Sequence, residues 1–539
     1  MITLPTLPIL EALPALRAAL AVDRSAVLEA PPGAGKSTVV PLALLEESWA
    51  DGRKILMLEP RRLAARAVAE RMAATLRERV GETVGYRMRL DTRVGPRTRL
   101  EVVTEGVLTR MLQEDAALEG IAAVIFDEFH ERSLQADLGL AFCLDARQAL
   151  ELDLRLIVMS ATLDGAAVAA LMGDAPVITS QGKMFPVETR HLGRGFPALP
   201  GEEDSPERLT ALAIRRALRE VEGDVLVFLP GAGEIRRVQD MLAGDPGRDP
   251  GRDHDGTEIF ALYGELAAAE QELALRPDPA APRRVILATN IAETSLTLPR
   301  IRVVVDSGLV RRAVFDPVTG MSRLETRRIS RASAAQRAGR AGRVAPGVCY
   351  RLWSEGAQRS LAAYTPAEIL EADLAPLALD LARWGATDAA ALRWLDAPPA
   401  AMLAAARDLL RQLGALDAQG KITPHGLELG EWPLHPRLAH LLLAAAADGQ
   451  ARLGAQLAAV LGERDLLRHG ARAGAEATID TDILTRLELL TGRAQGGPAV
   501  DRAALERVRR TATQLERRLE ESRVQRNRAA PRGAALAAP

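Results

Sequence analysis

The apolar run Ala26-Val27-Leu28 leads into Ala30-Pro31-Pro32-Gly33-Ala34-Gly35-Lys36-Ser37-Thr38, and that order leaves few folds open. A short buried strand must end in a glycine-rich turn, and a helix must start near Lys36. This is the context of a phosphate-binding loop. Gly33 and Gly35 let backbone amides approach phosphate oxygens, and Ala34, between them, is small enough not to interfere. The helix N-terminus, where Thr38 follows, adds positive potential. Lys36 is placed to bridge the β- and γ-phosphates, and Ser37 to ligate Mg2+. Ala30 stands where the longer form of this pattern has its first glycine.

Similar runs recur. Ile55–Leu58, Ala122–Phe126 and Leu156–Met159 alternate with helical patterns such as the one from Arg62 to Arg79. Short continuous apolar runs with helices between them read as parallel strands covered on both faces. A second series begins near residue 206, with Val225–Leu229, Val285–Ala288 and Ile301–Val305. The Gly-, Pro- and acid-rich segment 191–207 reads as the linker between the series, and 244–256 as a surface excursion. The simplest account is α/β: two parallel-sheet domains in tandem. Past about residue 354 strand signals fade and Ala/Leu-rich helical periodicity takes over. Arg502 to Arg528 forms either one charged amphipathic helix or a solvated, frayed segment.

With 539 residues there is room for about three or four domains. The formal net charge of −2 provides no bulk basic field, so any nucleic-acid site must be a local basic groove. Only four of the 69 basic residues are lysine, and one of them is Lys36. Cys143 and Cys349 sit in no metal-ligand spacing. Two distant thiols fit a reducing cytoplasm, and as side chains they are small buried hydrophobes. The apolar N-terminus (Leu4 to Leu20) is broken by Pro5, Pro8 and Pro14 and contains Arg17, so it reads as a helix leading into the first strand. No uninterrupted run reaches the roughly 18 apolar residues of a membrane span.

Three further strings carry chemistry. Asp127-Glu128-Phe129-His130 ends the third strand. Asp127 is placed for Mg2+ and Glu128 to deprotonate an attacking water; a strand-end acidic pair can also cap the next helix. Ser160-Ala161-Thr162 follows the fourth strand and would link one lobe to the other. Gln336-Arg337-Ala338-Gly339-Arg340-Ala341-Gly342-Arg343 reads as a helix start studded with guanidinium groups. Arg340 and Arg343, three apart, share a helix face. Glycines at 339 and 342 cost helix stability and argue against a simple solvated helix. An arginine inserted at a γ-phosphate is worth roughly 10³–10⁵ in rate.

In this order, the strings resemble those of the DEAH/RHA-type helicases of superfamily 2. Glu59–Arg66 is similar to the family's motif Ia, Thr104-Glu105-Gly106-Val107-Leu108 to motif Ib, Phe228–Gly231 to motif IV and Ala288–Thr297 to motif V. The Phe129 variant of the acidic box, continuing as Glu131–Leu138, resembles a bacterial branch of the family. The resemblance implies two RecA-like lobes (1–190 and 191–354), a winged helix (355–432), a ratchet-like helical bundle (433–500) and an Arg-rich helix with a disordered tail (501–539). It implies ATP hydrolysis with Mg2+, and 3′-to-5′ movement on single-stranded RNA, or on RNA duplexes with a 3′ overhang. Gln336 would position the water and Arg340 and Arg343 would be the fingers. His130, Ser160 and Thr162 would couple hydrolysis to movement. Family members continue into an OB-fold domain and a further C-terminal region, which this sequence is expected to lack.

Physical reasoning points the same way for the track. A sequence-neutral motor grips the phosphodiester backbone with amides, hydroxyls and arginines. Arg61, Arg62, Thr104, Thr289 and Asn290 are such groups at predicted strand ends, and Gly106 belongs to the same motif Ib string. Residues 310–329 read as a hairpin that in the family splits duplexes, or as a plain sheet extension. Pro299 replaces an acid that the family often places near the ribose. Beyond Tyr263-Gly264 only Leu273 and Leu275 stand where an aromatic often stacks on the base. Loose base recognition, hence use of several NTPs, is expected. A DNA track, or a nucleotide-dependent RNA clamp that unwinds nothing, are the alternatives. The sequence names no protein activator, and the location expected is cytoplasmic.

Overall fold

The computed structural model describes the chain apart from residues 1, 89–90, 162–164, 183, 197–204, 244–256, 265, 276–281, 294–297, 299, 464, 468–482, 494–499 and 530–539; for 268 and 523–529 only the backbone is described. Thr162, Pro299, the end of the 288–297 string, the 244–256 excursion and the tail after 529 therefore lie outside the described residues. The chain divides into two compact units, residues 1–373 with 390–399, and residues 374–389 with 400–539.

The first unit holds two sheets. One contains β1 (Ser25–Glu29), β2 (Lys54–Leu58), β3 (Val84–Met88), β4 (Asp91–Arg93), β5 (Leu100–Val103), β6 (Ile121–Phe126), β7 (Arg155–Ser160) and β8 (Val177–Thr179). Their order is β4-β3-β5-β2-β6-β7-β1-β8. All neighbours run parallel except β3 and β4. β7 is buried along its whole length, and β1, β2 and β6 at all but one position each, because helices cover both faces. The consequence for function is positional. The three adjacent strands β6, β7 and β1 end side by side, and from their ends emerge the acidic box, Ser160 and the glycine-rich loop. Ligands of open parallel sheets sit at such strand ends.

The second sheet contains β9 (Val187–His191), β10 (Asp224–Phe228), β11 (Glu258–Leu262), β12 (Arg284–Ala288), β13 (Ile301–Asp306) and β16 (Gly347–Arg351). Its order is β11-β12-β10-β13-β16-β9, parallel throughout. Val225, Val227 and Leu229 face one apolar layer, and Leu226 and Phe228 face the other, as alternation along a strand requires. β14 (Leu309–Asp316) and β15 (Met321–Arg328) pair antiparallel as a separate hairpin, in the register Leu309↔Arg328 to Asp316↔Met321. Asp316 shapes the turn by accepting from the Val318 amide and the Thr319 hydroxyl.

The second unit is helical, from Ala375–Trp384 to Arg502–Ala529, with an isolated antiparallel bridge between Leu416 and Ile422. The Arg-rich segment is one helix with a buried stripe: Ala504, Val508, Ala512, Leu515 and Leu519 are each at most 8% exposed. The first three pack with Ala459, Val460 and Leu490. Spacings of three and four put these residues on one face, so the segment is held against the bundle rather than frayed.

Candidate functional site

The loop after β1 is tied down from three sides. The Ala30 amide donates to the Ser160 carbonyl at the end of β7 (3.0 Å). The Ile9 amide donates to the Ala34 carbonyl (3.1 Å), and a Cβ added to Gly35 would lie 2.8 Å from Leu7 Cδ1. On the remaining side Gly182 sits so close to Pro31 that any side chain there would collide with the ring. Gly33 and Gly35 have φ of +88° and +101°, the left-handed region that glycine enters without strain. Gly33 faces open space, with nothing within 4 Å of where a Cβ would stand. Lys36 opens the following helix, with Ser37 and Thr38 half-buried behind it.

Lys36 Nζ lies 2.7 Å from Glu128 Oε1 and 3.4 Å from Asp127 Oδ1, and all three side chains are nearly inaccessible. Burial alone would lower the lysine, but the two carboxylates outweigh it and hold Lys36 above its usual range. Burial would raise Glu128, yet Lys36, His130 and Arg340 together lower it to about 2. Asp127 goes the other way: burial, with Glu128 beside it, raises it despite Lys36. Glu128 and Arg132 have φ of +51° and +50°, on either side of the tight turn Phe129–Glu131. Such backbone costs on the order of 1–3 kcal/mol per residue and persists where the surroundings over-determine it.

Triphosphate and Mg2+ fit these residues. The loop faces open space, Lys36 stands at its rim, and Asp127 Oδ2 is buried without a hydrogen bond among the described residues. No group of three or more His, Cys, Asp or Glu among the described residues could hold a metal unaided. A cation here would be shared between Asp127, the Ser37 hydroxyl, phosphate oxygens and water, as Mg2+ generally is.

The second sheet contributes the opposite wall. Helix Arg331–Gly339 is capped by Ser330, whose hydroxyl accepts from the Ser333 amide. The arginine string is therefore the end of a helix and not its start, and Arg340–Gly342 tightens into a 3-10 turn where the glycines fall. Gln336 meets His130 across the cleft, with side-chain nitrogens 2.7 Å apart, and His130 Nδ1 is 3.5 Å from the Ala161 amide. Arg340 is 2% exposed and donates to the Glu293 carbonyl (3.1 Å). Burial, then Arg343, pushes Arg340 well below its usual range against the pull of Glu128. Burial lowers Arg343 to about 10, again against Glu128. Both guanidinium groups are thus within electrostatic reach of Glu128.

Arg337, which sequence reasoning gave no role, is an anchor. It pairs with Asp306 and Glu293, each at 2.9 Å, and lies over the Phe228 ring. Its position in the arginine string was visible; its depth was not. Leu7 and Ile9, which brace the loop, carried no motif at all.

The proposed track contacts divide. Arg62, Gly106 and Asn290 are exposed, and Thr104 and Thr289 half-exposed, at helix starts after β2, β5 and β12. Arg61 instead spans the cleft, bound to Glu131 (3.1 Å) and to the Asn290 carbonyl (2.7 Å). A cavity of about 960 Å³ opens between the sheets, lined by Arg61, His130, Asn290 and Gln336 but not by Lys36.

The DEAD/DEAH box helicase family matches residues 11–171, and the helicase conserved C-terminal domain matches residues 206–345. The chain is 48% identical to the ATP-dependent RNA helicase HrpB of Escherichia coli K12 over 458 residues, covering 85% of this chain and 55% of that one. It is 37% identical to HrpA of the same organism, over 78% of this chain and 32% of that one. The crystal structure of the E. coli DEAH/RHA helicase HrpB superposes with a TM-score of 0.79 at 44% identity, covering 96% of this chain and 61% of that chain. The chain thus spans little more than half the length of HrpB and about a third of HrpA. Two RecA-like parallel sheets, a glycine-rich loop facing an acidic box, and these matches together place the chain in the DEAD/DEAH box helicases, to which it belongs, among relatives of the HrpB type.

Proposed function

We propose that this chain is an RNA-stimulated NTP hydrolase that moves 3′-to-5′ along single-stranded RNA and opens duplexes with a 3′ overhang. The observation that carries the reading is the buried group of Lys36, Asp127 and Glu128 at the ends of β1 and β6, with Arg340 and Arg343 within electrostatic reach. ATP is the nucleotide, other NTPs are also accepted, and Mg2+ is the metal. Leu273, at 61% exposure, offers no aromatic surface for base selection.

The residues divide the work. Gly33, Ala34 and Gly35 present amides, and Lys36 turns to the phosphates; Ser37 and Asp127 hold the metal, with Thr38 behind them. The bound metal supplies charge neutralisation at the phosphates. Glu128 takes the proton of the attacking water, which Gln336 orients. Arg340 and Arg343 steady developing charge. Ser160, Thr162 and His130 relay the state of the site to the second sheet. Arg61, Arg62, Thr104, Gly106, Thr289 and Asn290 hold the strand, and hairpin β14–β15 splits the duplex. Residues 1–190 and 191–354 serve as motor lobes, 355–432 as a winged helix, 433–500 as a ratchet-like bundle and 501–539 as an Arg-rich extension. A cytoplasmic location suits this chemistry, and no described helix is long and apolar enough to cross a membrane.

The test is phosphate release with and without RNA, repeated with single-stranded DNA of equal length. Lys36→Ala and Glu128→Gln should each cut turnover at least about a hundredfold while RNA binding remains measurable. Turnover intact in both variants would remove the hydrolysis reading. Equal stimulation by DNA would remove the preference for RNA, and hydrolysis without strand displacement would leave a clamp.

A further inference from the structure

Residues 362–371 touch three working parts of the first unit at once. They first hold the start of the helix that carries Gln336. The Arg331 amide donates to the Ala362 carbonyl (2.8 Å), the Ala332 amide to that of Ala363 (3.1 Å), and the Ser330 and Thr365 hydroxyls are 3.2 Å apart. The first amides of a helix have no partner within it, so this segment supplies them.

The same segment next reaches the chain leaving the acidic box. The Glu368 amide donates to the Arg132 carbonyl (2.9 Å), and Glu368 Oε2 accepts from the Leu134 amide (2.9 Å). Leu134 begins the helix Leu134–Ala149, where a carboxylate is favoured by the helix dipole. Two residues upstream of Arg132 stands His130, in contact with Gln336.

Finally the segment grips the hairpin. Glu371 pairs with Arg327 (2.6 Å) and Arg312 (3.3 Å), its carbonyl accepts from the Phe315 amide (2.9 Å), and Arg312 also donates to the Pro366 carbonyl (3.0 Å). Arg311, on the opposite face of β14, is held separately by Glu234 (2.9 Å). The segment is stiff: Pro366 restricts the backbone, Ala367 and Ile369 are buried, and Glu368–Leu370 is a tight helical turn. Any movement between Arg132 and the Gln336 helix must therefore be felt by a short rigid piece whose far end is bonded to the hairpin.

We propose that residues 362–371 form a relay coupling the state of the nucleotide cleft to hairpin β14–β15, with Glu368 and Glu371 as its positioning residues. The inference rests on the cleft being a nucleotide site and adds how its state reaches the hairpin. Neither glutamate touches the nucleotide-binding residues described above.

The hairpin tip offers a reporter, because Val318 is 93% exposed. In Val318→Cys a thiol-reactive environmental dye would attach there, since Cys143 and Cys349 are buried with their thiols pushed up to about 12. Addition of a non-hydrolysable ATP analogue should change the dye signal. Glu368→Gln and Glu371→Gln, each in that background, should cut the amplitude at least threefold. Analogue affinity, read from a fluorescent nucleotide, should change less than twofold. Glu371→Asp should recover part of the amplitude. Full amplitude in both glutamine variants, no response in a parent protein that binds the analogue, or affinity falling in step with amplitude would each overturn the relay. Failure of the parent to bind the analogue would remove the nucleotide reading and the relay together. A dye response without strand displacement would overturn only the unwinding reading.

Discussion

Arg337 and Arg340 lie one helical turn apart, both almost fully buried, and alanine-type changes at the two should fail in opposite ways. Arg337 neutralises Asp306, which is wholly inaccessible and already raised by its burial, and it pairs with Glu293 as well. Arg337→Met leaves that carboxylate without its cation, a change that costs about 3–5 kcal/mol. Arg340 sits in an environment that disfavours its charge, through burial and through Arg343. Arg340→Ala gives up the bond to the Glu293 carbonyl but relieves that penalty, so unfolding free energy should fall by less than it does in Arg337→Met. Its cost falls on catalysis: an arginine finger contributes roughly 10³–10⁵ in rate, or about 4–7 kcal/mol of barrier. Guanidinium unfolding and single-turnover hydrolysis with saturating RNA, run on both variants, read the two quantities separately. An Arg340→Ala protein that hydrolyses within tenfold of the parent would refute the finger assignment. One that loses as much stability as Arg337→Met would refute the electrostatic argument.

Two further outcomes follow from the geometry. Gly35→Ala places a side chain in the left-handed region and against Leu7 Cδ1, so analogue affinity should fall about tenfold or more with the fold retained, as measured by fluorescent-nucleotide titration and circular dichroism. Glu105 is raised to about 8 by burial, against its bond to Ser133 and with help from Glu131, Glu368 and Asp137. The folded state therefore binds its proton more tightly than the unfolded state, and stability drains away as pH rises from about 4.5 to about 8. Glu105→Gln should flatten that part of the Tm–pH profile and gain most above pH 8; an unchanged slope would sink the assignment.

Much of the first unit was legible because its central strands are buried on both faces. β1, β2, β6, β7, β10, β12 and β13 each carry an apolar run, broken in β13 by Arg302, and the loop and acidic box sit directly at the ends of two of them. The edges were not legible. β9 reads Val-Glu-Thr-Arg-His with no residue buried, so nothing local marks it as a strand; it forms because β16 offers it a partner. β3 and β4 are equally mixed, and only pairing defines them. At the site, spacing disclosed the residue types but not their depth. Arginines 337, 340 and 343 look alike in sequence, and packing alone makes the first an anchor. Arg61, expected at the track, is held by Glu131, and nothing in the sequence marked the two as partners.

The ion pairs at the site also suggest an order of events. In this state Glu128 is held at about 2, too acidic to accept a proton readily near neutrality. Burial pushes it upward, and Lys36 is the largest influence pulling it down. Were Lys36 Nζ to turn away to meet a phosphate, that influence would weaken and Glu128 would become more basic, though His130 and Arg340 would still hold it down. On the proposed function, the base would thus gain strength only after the lysine has engaged, which would protect against idle proton transfer before the nucleotide is seated. Arg61 would repeat the logic for the proposed track, since Glu131 and the Asn290 carbonyl hold it and a phosphodiester would have to compete for it. Releasing Arg61 loosens one bond across the cleft, while Gln336 and His130 keep another. On the proposed function, occupation of the track would therefore change how firmly the two sheets are joined beside Gln336 and His130, and RNA stimulation of hydrolysis would need no contact between RNA and nucleotide.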